Sequence, residues 1–202
     1  MLSRRPAWLW LVIVISLFGG WRAWAHRAVA QPPGVLAPED PEQTDLKDTP
    51  AFDIEDGRYH IQPLADFRMT ARVLSREDYW IDRLARLVPT DVAFGWGHMS
   101  DSAVLRKLDI EQDDRWYRWS TGEFPIPRED IEQHSANMHL IPADRSVRKA
   151  IERLRVGQIV SLSGELVEVQ ARSGWTMRSS LTRDDTGAGA CEVVWVERLD
   201  LR

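Results

Sequence analysis

Two histidine–methionine stretches stand out among the residues able to do chemistry. His98-Met99 follows a Gly-Trp-Gly turn, and HSANMH places His134, Met138 and His139 within six residues. Imidazole with thioether suits copper, and imidazole with Asp101 suits zinc. On an extended strand His134 and His139 face opposite ways, so only a turn between Ser135 and Asn137 folds them onto one ion. The candidate metal set is therefore His98, His134, His139, Met138 and Asp101. The competing account is that these side chains pin loops to a sheet by hydrogen bonds, since the chain has no dense H-x-H or C-x-x-C spacing. No resident cofactor is predicted, and copper or zinc are the ions the set fits.

The single cysteine, Cys191, cannot form an internal disulfide. Beside His134 or His139 it makes a thiolate–imidazole pair, with Asp101 or Asn137 to orient the base. A lone cysteine opening an apolar strand also serves as a small core hydrophobe, and exported thiols tend to oxidise. Further along, Thr186-Gly187-Ala188-Gly189 can offer backbone N–H groups to an anion beside Arg183 or Arg178. That gives a ligand-binding set of Arg183, Thr186, Gly187 and Gly189. A phosphate loop runs from strand into helix, however, and this one runs into a strand, as a long hairpin turn does. Arg145, Arg148, Lys149, Arg153 and Arg155 form a basic helix face offset only by Glu152. Such a face suits an anionic lipid surface or acidic polymer, or is simply solvated. Trp116, Trp119 and Trp175 can stack on sugar rings or pack a core.

The elements that position these groups centre on residues 144–170. Val147, Ala150, Ile151 and Leu154 share a helix face, Asp144 is the N-cap and Gly157 the expected stop. In the strand that follows, Val160, Leu162 and Leu166 share one face, and the apolar positions then move to Val167 and Val169. A period of two changes face only at a bulge or bend, and Gly164 permits one. Upstream, Tyr59 to Leu74 alternates as a strand. Ser75 begins a helix with Trp80, Leu84, Leu87 and Val88 on one face, and Asp91 to Trp96 is a short buried strand. Asp114 to Trp119 and Asn137 to Ile141 are further strands. After the Ser173-Gly174 turn the chain closes as a meander, with Cys191, Val193, Trp195 and Leu199 on one face. These elements define an α+β fold: a small, strongly bent antiparallel sheet or partial OB-like barrel with three or four short helices.

The chain has 202 residues, 28% charged, with net charge -5. That is enough for one domain and lacks the concentrated basic surface of a duplex nucleic-acid binder, so no nucleic-acid partner is expected. Residues 1–30 read as a signal peptide or N-terminal membrane anchor. Arg4 and Arg5 precede an uncharged run from Ala7 to Trp21, and Ala28-Val29-Ala30 has the form of a cleavage site. Residues 31–50, with five prolines and five carboxylates, read as an extended acidic linker. The globular domain is then 51–202.

The segments GWGHMSD (95–101), HSANMHLIPA (134–143) and SLTRDDTGAGACE (180–192) resemble stretches of a group of uncharacterised bacterial exported or membrane-associated proteins. The resemblance spans roughly Phe94 to Val196 and implies a bacterial source and an envelope location, with no activity attached. The expected function is a non-enzymatic cell-envelope module that binds an envelope protein or polymer. It would sit in the inner membrane through residues 7–21, facing the periplasm, or be periplasmic if cut after Ala30. The alternative is a metal-binding protein or metal-dependent hydrolase using His98, His134 and His139.

Overall fold

A computed structural model of the chain describes residues 7–182 and 190–202. Helix α1 (Ala7–Ala25) precedes strands β1 (Glu42–Asp45), β2 (Phe52–Ile54), β3 (Tyr59–Asp78) and β4 (Thr90–Gly95). A 3₁₀ turn (Gly97–Ser100) and helix α2 (Ser102–Leu105) lead to the hairpin strands β5 (Asp109–Asp113) and β6 (Trp116–Ser120). Helix α3 (Arg128–Gln133), β7 (Ser135–Pro142), α4 (Arg145–Glu152), β8 (Ile159–Ala171), β9 (Thr176–Arg178) and β10 (Glu192–Leu201) complete the chain. The fold is mixed α+β, mostly strands in one bent sheet.

The sheet closes on itself. β3 pairs β4, β4 pairs β7, β7 pairs β10, β10 pairs β8, and β8 pairs back onto β3. The pairings are antiparallel except β7 with β10, which run parallel, so the expected all-antiparallel sheet is corrected at one junction. The expected meander is corrected as well. β10 and β9 share the same edge of β8, β10 taking Val160–Leu166 and β9 Glu168–Gln170, because the other edge is held by β3 over Ile159–Ala171.

Inward-facing residues fill the ring. Phe67, Met69, Ala71 and Val73 of β3 meet Val92 and Phe94 of β4, Met138 and Leu140 of β7, and Leu162 and Leu166 of β8. Helix α4 packs Val147 and Ile151 against this core, and Leu154, just past its end, joins them. Asp144 Oδ1 caps it, accepting from the N–H groups of Ser146 (2.6 Å) and Val147 (2.9 Å). Each of these buried aliphatic side chains contributes about 1.5–3 kcal/mol. A second apolar cluster lies outside the ring and includes Ile61, Leu87, Val88, Ile141, Val167 and Val169.

β8 keeps a regular alternation and needs no switch of its own: Val160, Leu162 and Leu166 face the ring core, while Val167 and Val169, on its opposite face, enter the second cluster. The irregularity lies on its neighbour, where Leu64 is an extra residue between Pro63 and Ala65 of β3. Pro63, which has no N–H for the ladder, sits at that bulge. Gly164 serves a different purpose. It lies opposite a bulge at Glu197 of β10, and a Cβ there would overlap the Trp195 carbonyl oxygen. The same bulge corrects the expected face of β10: Val193 and Trp195 point outward, while Leu199 returns to the core.

The helix expected from Ser75 is a continuation of β3. Glu77 and Asp78 stay in register with Asp91 and Thr90 of β4, and this ladder overrides the helical periodicity. Asp82 Oδ1 then accepts from the N–H of Leu84 at 2.8 Å and folds the segment into turns. Trp80 is left 73% exposed and Ile81 96% exposed.

Residues 31–50 are extended, as their prolines require, and hydrogen-bonded to the domain. Ser100 Oγ accepts from Leu36 and Ala37, Asp101 Oδ1 accepts from Gly34, and β1 pairs with β3. Gly157 (φ 89) does not stop α4, which ends at Glu152. Its missing side chain lets the Val29 carbonyl pass. Among the described residues no helix is long and apolar enough to cross a membrane, so the expected transmembrane anchor is not supported.

Gly164→Ala should lower stability by about 2–3 kcal/mol, since the backbones of β8 and β10 must separate to admit the methyl group. Urea unfolding at constant m-value reads this directly. A wild-type midpoint would show that the close approach is not a constraint.

Candidate functional site

Strand pairing gathers three groups that are distant in sequence. Asp91 of β4 lies across from His139 of β7, and His139 lies across from Val193 of β10, two residues past Cys191. Because neighbouring residues alternate faces, Asp91, His139 and Cys191 share the outer side while Val92, Met138 and Val194 face the core. His139 Nδ1 is 2.9 Å from Asp91 Oδ1, close enough for charge pairing though out of line for a well-formed hydrogen bond. The Cys191 sulfur lies near enough to the imidazole to add to the upward shift. His139 is 7% exposed and Asp91 0%, while Cys191 is half-buried. Burial by itself pulls the imidazole down, but the Asp91 carboxylate and the Cys191 sulfur more than reverse this and push it up to about 9.

The hairpin β5–β6 covers this row. Asn137 donates from Nδ2 to Cys191 Sγ (3.7 Å) and to the Arg115 carbonyl (3.1 Å), and its Oδ1 accepts from Gln112 Nε2 at 2.6 Å. Arg115 Nη1 donates to Asp91 Oδ1 at 3.1 Å. The same guanidinium bonds Asp82 and lies 3.9 Å over the Tyr79 ring. Asp114 and Arg115 form the hairpin turn with φ of 50° and 65°, the left-handed pair such two-residue turns need. In non-glycine residues this conformation costs of order 1 kcal/mol each, and the Arg115 contacts offset it. Asp91 is thus a fully buried carboxylate between a guanidinium and an imidazole. Its Oδ2 has no hydrogen-bond partner among the described residues.

A cavity of about 220 Å³ opens beside Cys191. Trp96, Trp116, Tyr117 and Trp119 line it, with Asn137, Cys191 and Glu192 among the polar wall. Tyr117 is pushed up to about 12 by burial and donates from its hydroxyl to Ser135 Oγ at 3.2 Å. Of the expected aromatic set, Trp116 and Trp119 face this cavity, whereas Trp175 packs in the second apolar cluster.

The expected metal set is divided. His98 Nδ1 is 2.6 Å from Asp130 Oδ2 and His134 Nδ1 is 2.7 Å from Asp130 Oδ1, so one carboxylate joins these two rings. His139 instead faces Asp91, because β7 is a continuous strand through Ser135–Pro142 rather than a turn. Met138 is fully buried in the ring core, and Asp101 caps α2 through the Ala103 N–H. Among the described residues no three His, Cys, Asp or Glu side chains converge as a metal site. Arg183, Thr186, Gly187 and Gly189 lie outside the described residues. The pairing of Cys191 with His139 joins two residues the sequence singles out, but the orienting carboxylate is Asp91 and not Asp101. Asp91 and Arg115 were not singled out. An aspartate beside the apolar run VAF is the signal, since a carboxylate there needs a cation.

No family model, curated protein or solved structure matches the chain.

A base that holds its proton more tightly when folded stabilises the fold at low pH. The His139 contribution is complete below the unfolded value of about 6.5 and disappears as pH rises through about 9. Wild-type stability should therefore fall by roughly 1–3 kcal/mol across that window. Titration of the His139 ring by NMR should give a value near 9, and in Asp91→Asn it should move below 6.5 as burial takes over. An unchanged titration in Asp91→Asn would remove Asp91 as the cause.

Proposed function

We propose that the domain is a thiol-dependent hydrolase or acyl transferase. Cys191 is the nucleophile, His139 its acid and base, and Asp91 the group that orients and charges the imidazole. One observation carries the reading: a buried Asp91–His139 pair ends on a half-buried thiol in the wall of an aromatic-lined cavity. An imidazolium beside a sulfur is the environment that makes thiols nucleophilic. The thiolate would attack a carbonyl carbon and form a thioester. The leaving group would depart with the His139 proton, and water would then release the acyl group as a carboxylic acid. Asn137, donating toward Sγ, fixes the thiol position.

The strand order β3-β4-β7-β10-β8, the parallel β7–β10 pair and the position of α4 between β7 and β8 support reading the ring as an OB-like barrel. A second reading is the non-enzymatic envelope module, its ligand held in the same cavity by Trp116 and Trp119. The partial exposure of Trp116, at 40%, favours it. The bacterial envelope location belongs to both readings. A fusion of residues 1–50 to alkaline phosphatase, which matures only outside the cytoplasm, should be active, and an inactive fusion would remove that location.

p-Nitrophenyl acetate tests the first reading. A stoichiometric burst of nitrophenolate with an acetyl group on Cys191 by mass spectrometry is expected. Cys191→Ser should abolish it, and His139→Gln should slow it by about 10²-fold. If Cys191 is never acylated and reacts with iodoacetamide no faster than in the urea-unfolded chain, the nucleophile reading is wrong.

A further inference from the structure

The segment between β3 and β4 carries two large apolar side chains at its tip. Ile81 is 96% exposed and Trp80 73% exposed, while the base of the same segment is anchored by Leu87 and Val88 in the second apolar cluster. A large aliphatic and an indole side by side in water are costly to a soluble domain and suit a bilayer interface, where indole is favoured.

The surroundings of the tip are basic. Arg83 and Arg86 lie on the same segment and are exposed. Arg148 Nη2 donates to the Arg86 carbonyl at 3.2 Å, which sets helix α4 against this segment. The outer face of α4 then adds Arg145 and Lys149, both exposed. The carboxylates nearby are occupied, apart from the exposed Glu152 at the end of α4. Asp82 pairs with Arg115, Glu55 lies between Arg58 and Arg86, and Asp144 caps α4.

The chain leaving α1 reaches the same side. His26 Nδ1 is 2.8 Å from Arg76 Nη1, and that nitrogen donates to the carbonyls of Glu152 and Leu154 at the end of α4. An apolar tip, a basic helix face and the exit of an apolar helix therefore share one flank of the domain.

We infer that this flank docks on an anionic lipid bilayer, with Ile81 and Trp80 entering the interface and Arg83, Arg86, Arg145, Arg148 and Lys149 meeting the headgroups. Each basic residue near such a surface contributes in proportion to its anionic lipid content, so binding depends on charge as well as on apolar burial. The inference is independent of the thiol chemistry, which lies behind the β5–β6 hairpin.

The test uses the full chain carrying Cys191→Ser with Ile81→Cys labelled by the environment-sensitive dye NBD. Vesicles of phosphatidylglycerol with phosphatidylcholine should shift NBD emission to the blue and raise it several-fold, and phosphatidylcholine vesicles should do so far less. Arg83→Glu with Arg148→Glu should reverse most of the gain. A dye at Gly122→Cys is the control, since it sits in open space at the other end of the β5–β6 hairpin from Arg115 and should not respond. Because the dye reports only its own position, attachment of the chain through α1 cannot imitate the result. No shift at position 81 with anionic vesicles, or an equal shift with both lipids, overturns the inference.

Discussion

A strand has two edges, and β3 uses both over nearly its full length. One edge is given to β8 from Tyr59 to Arg72. The other is shared in turn by β2, β1 and β4. That double occupancy closes the ring and sets the register of everything attached to it. The bulge at Leu64 sends β3 from one core to the other, from Ile61 in the second cluster to Ala65 in the ring, and a second extra residue, Leu74, directs its side chain away from the ring into a third cluster with Met99 and Ile131. Two one-residue insertions in one strand thus give the domain an inside and two outsides.

The outer row at β4, β7 and β10 follows from the same registers. Asp91 meets His139 because β4 and β7 are antiparallel with those residues opposed, and Cys191 reaches them because β10 runs parallel to β7. A buried carboxylate between two cations is a strong local arrangement, since removing either partner leaves the other charge uncompensated in a low-dielectric site. Arg115 holds the far side of Asp91 and is itself held by Tyr79 and Asp82. The β5–β6 hairpin is therefore fastened to the sheet by charge, while the sheet is held by apolar packing.

Much of this was legible in the chain. The α4 helix, its Asp144 cap, the apolar positions of β8 and the buried β4 strand are all set by near neighbours and so follow from the local sequence. Three features were not. The parallel β7–β10 contact depends on pairing across some fifty residues of sequence, which no local pattern records. The Trp80 segment has helical spacing, but its first residues are claimed by the β4 ladder. His134 and His139 look like a pair in HSANMH, yet a continuous strand sends one to Asp130 and the other to Asp91. Cys191 and His139 could be named from residue type, but Asp91 and Arg115 required the topology.

The stretch from Val29 to Ala37 is stitched to the domain by single bonds taken one after another: Val29 to Val156, Gly34 to Asp101, Leu36 and Ala37 to Ser100. A force applied at the N-terminal end meets these bonds in sequence rather than together. Once the His26 contact with Arg76 of β3 gives way, it peels the strap one contact at a time. The outer row is in this way mechanically insulated from whatever pulls on the start of the chain.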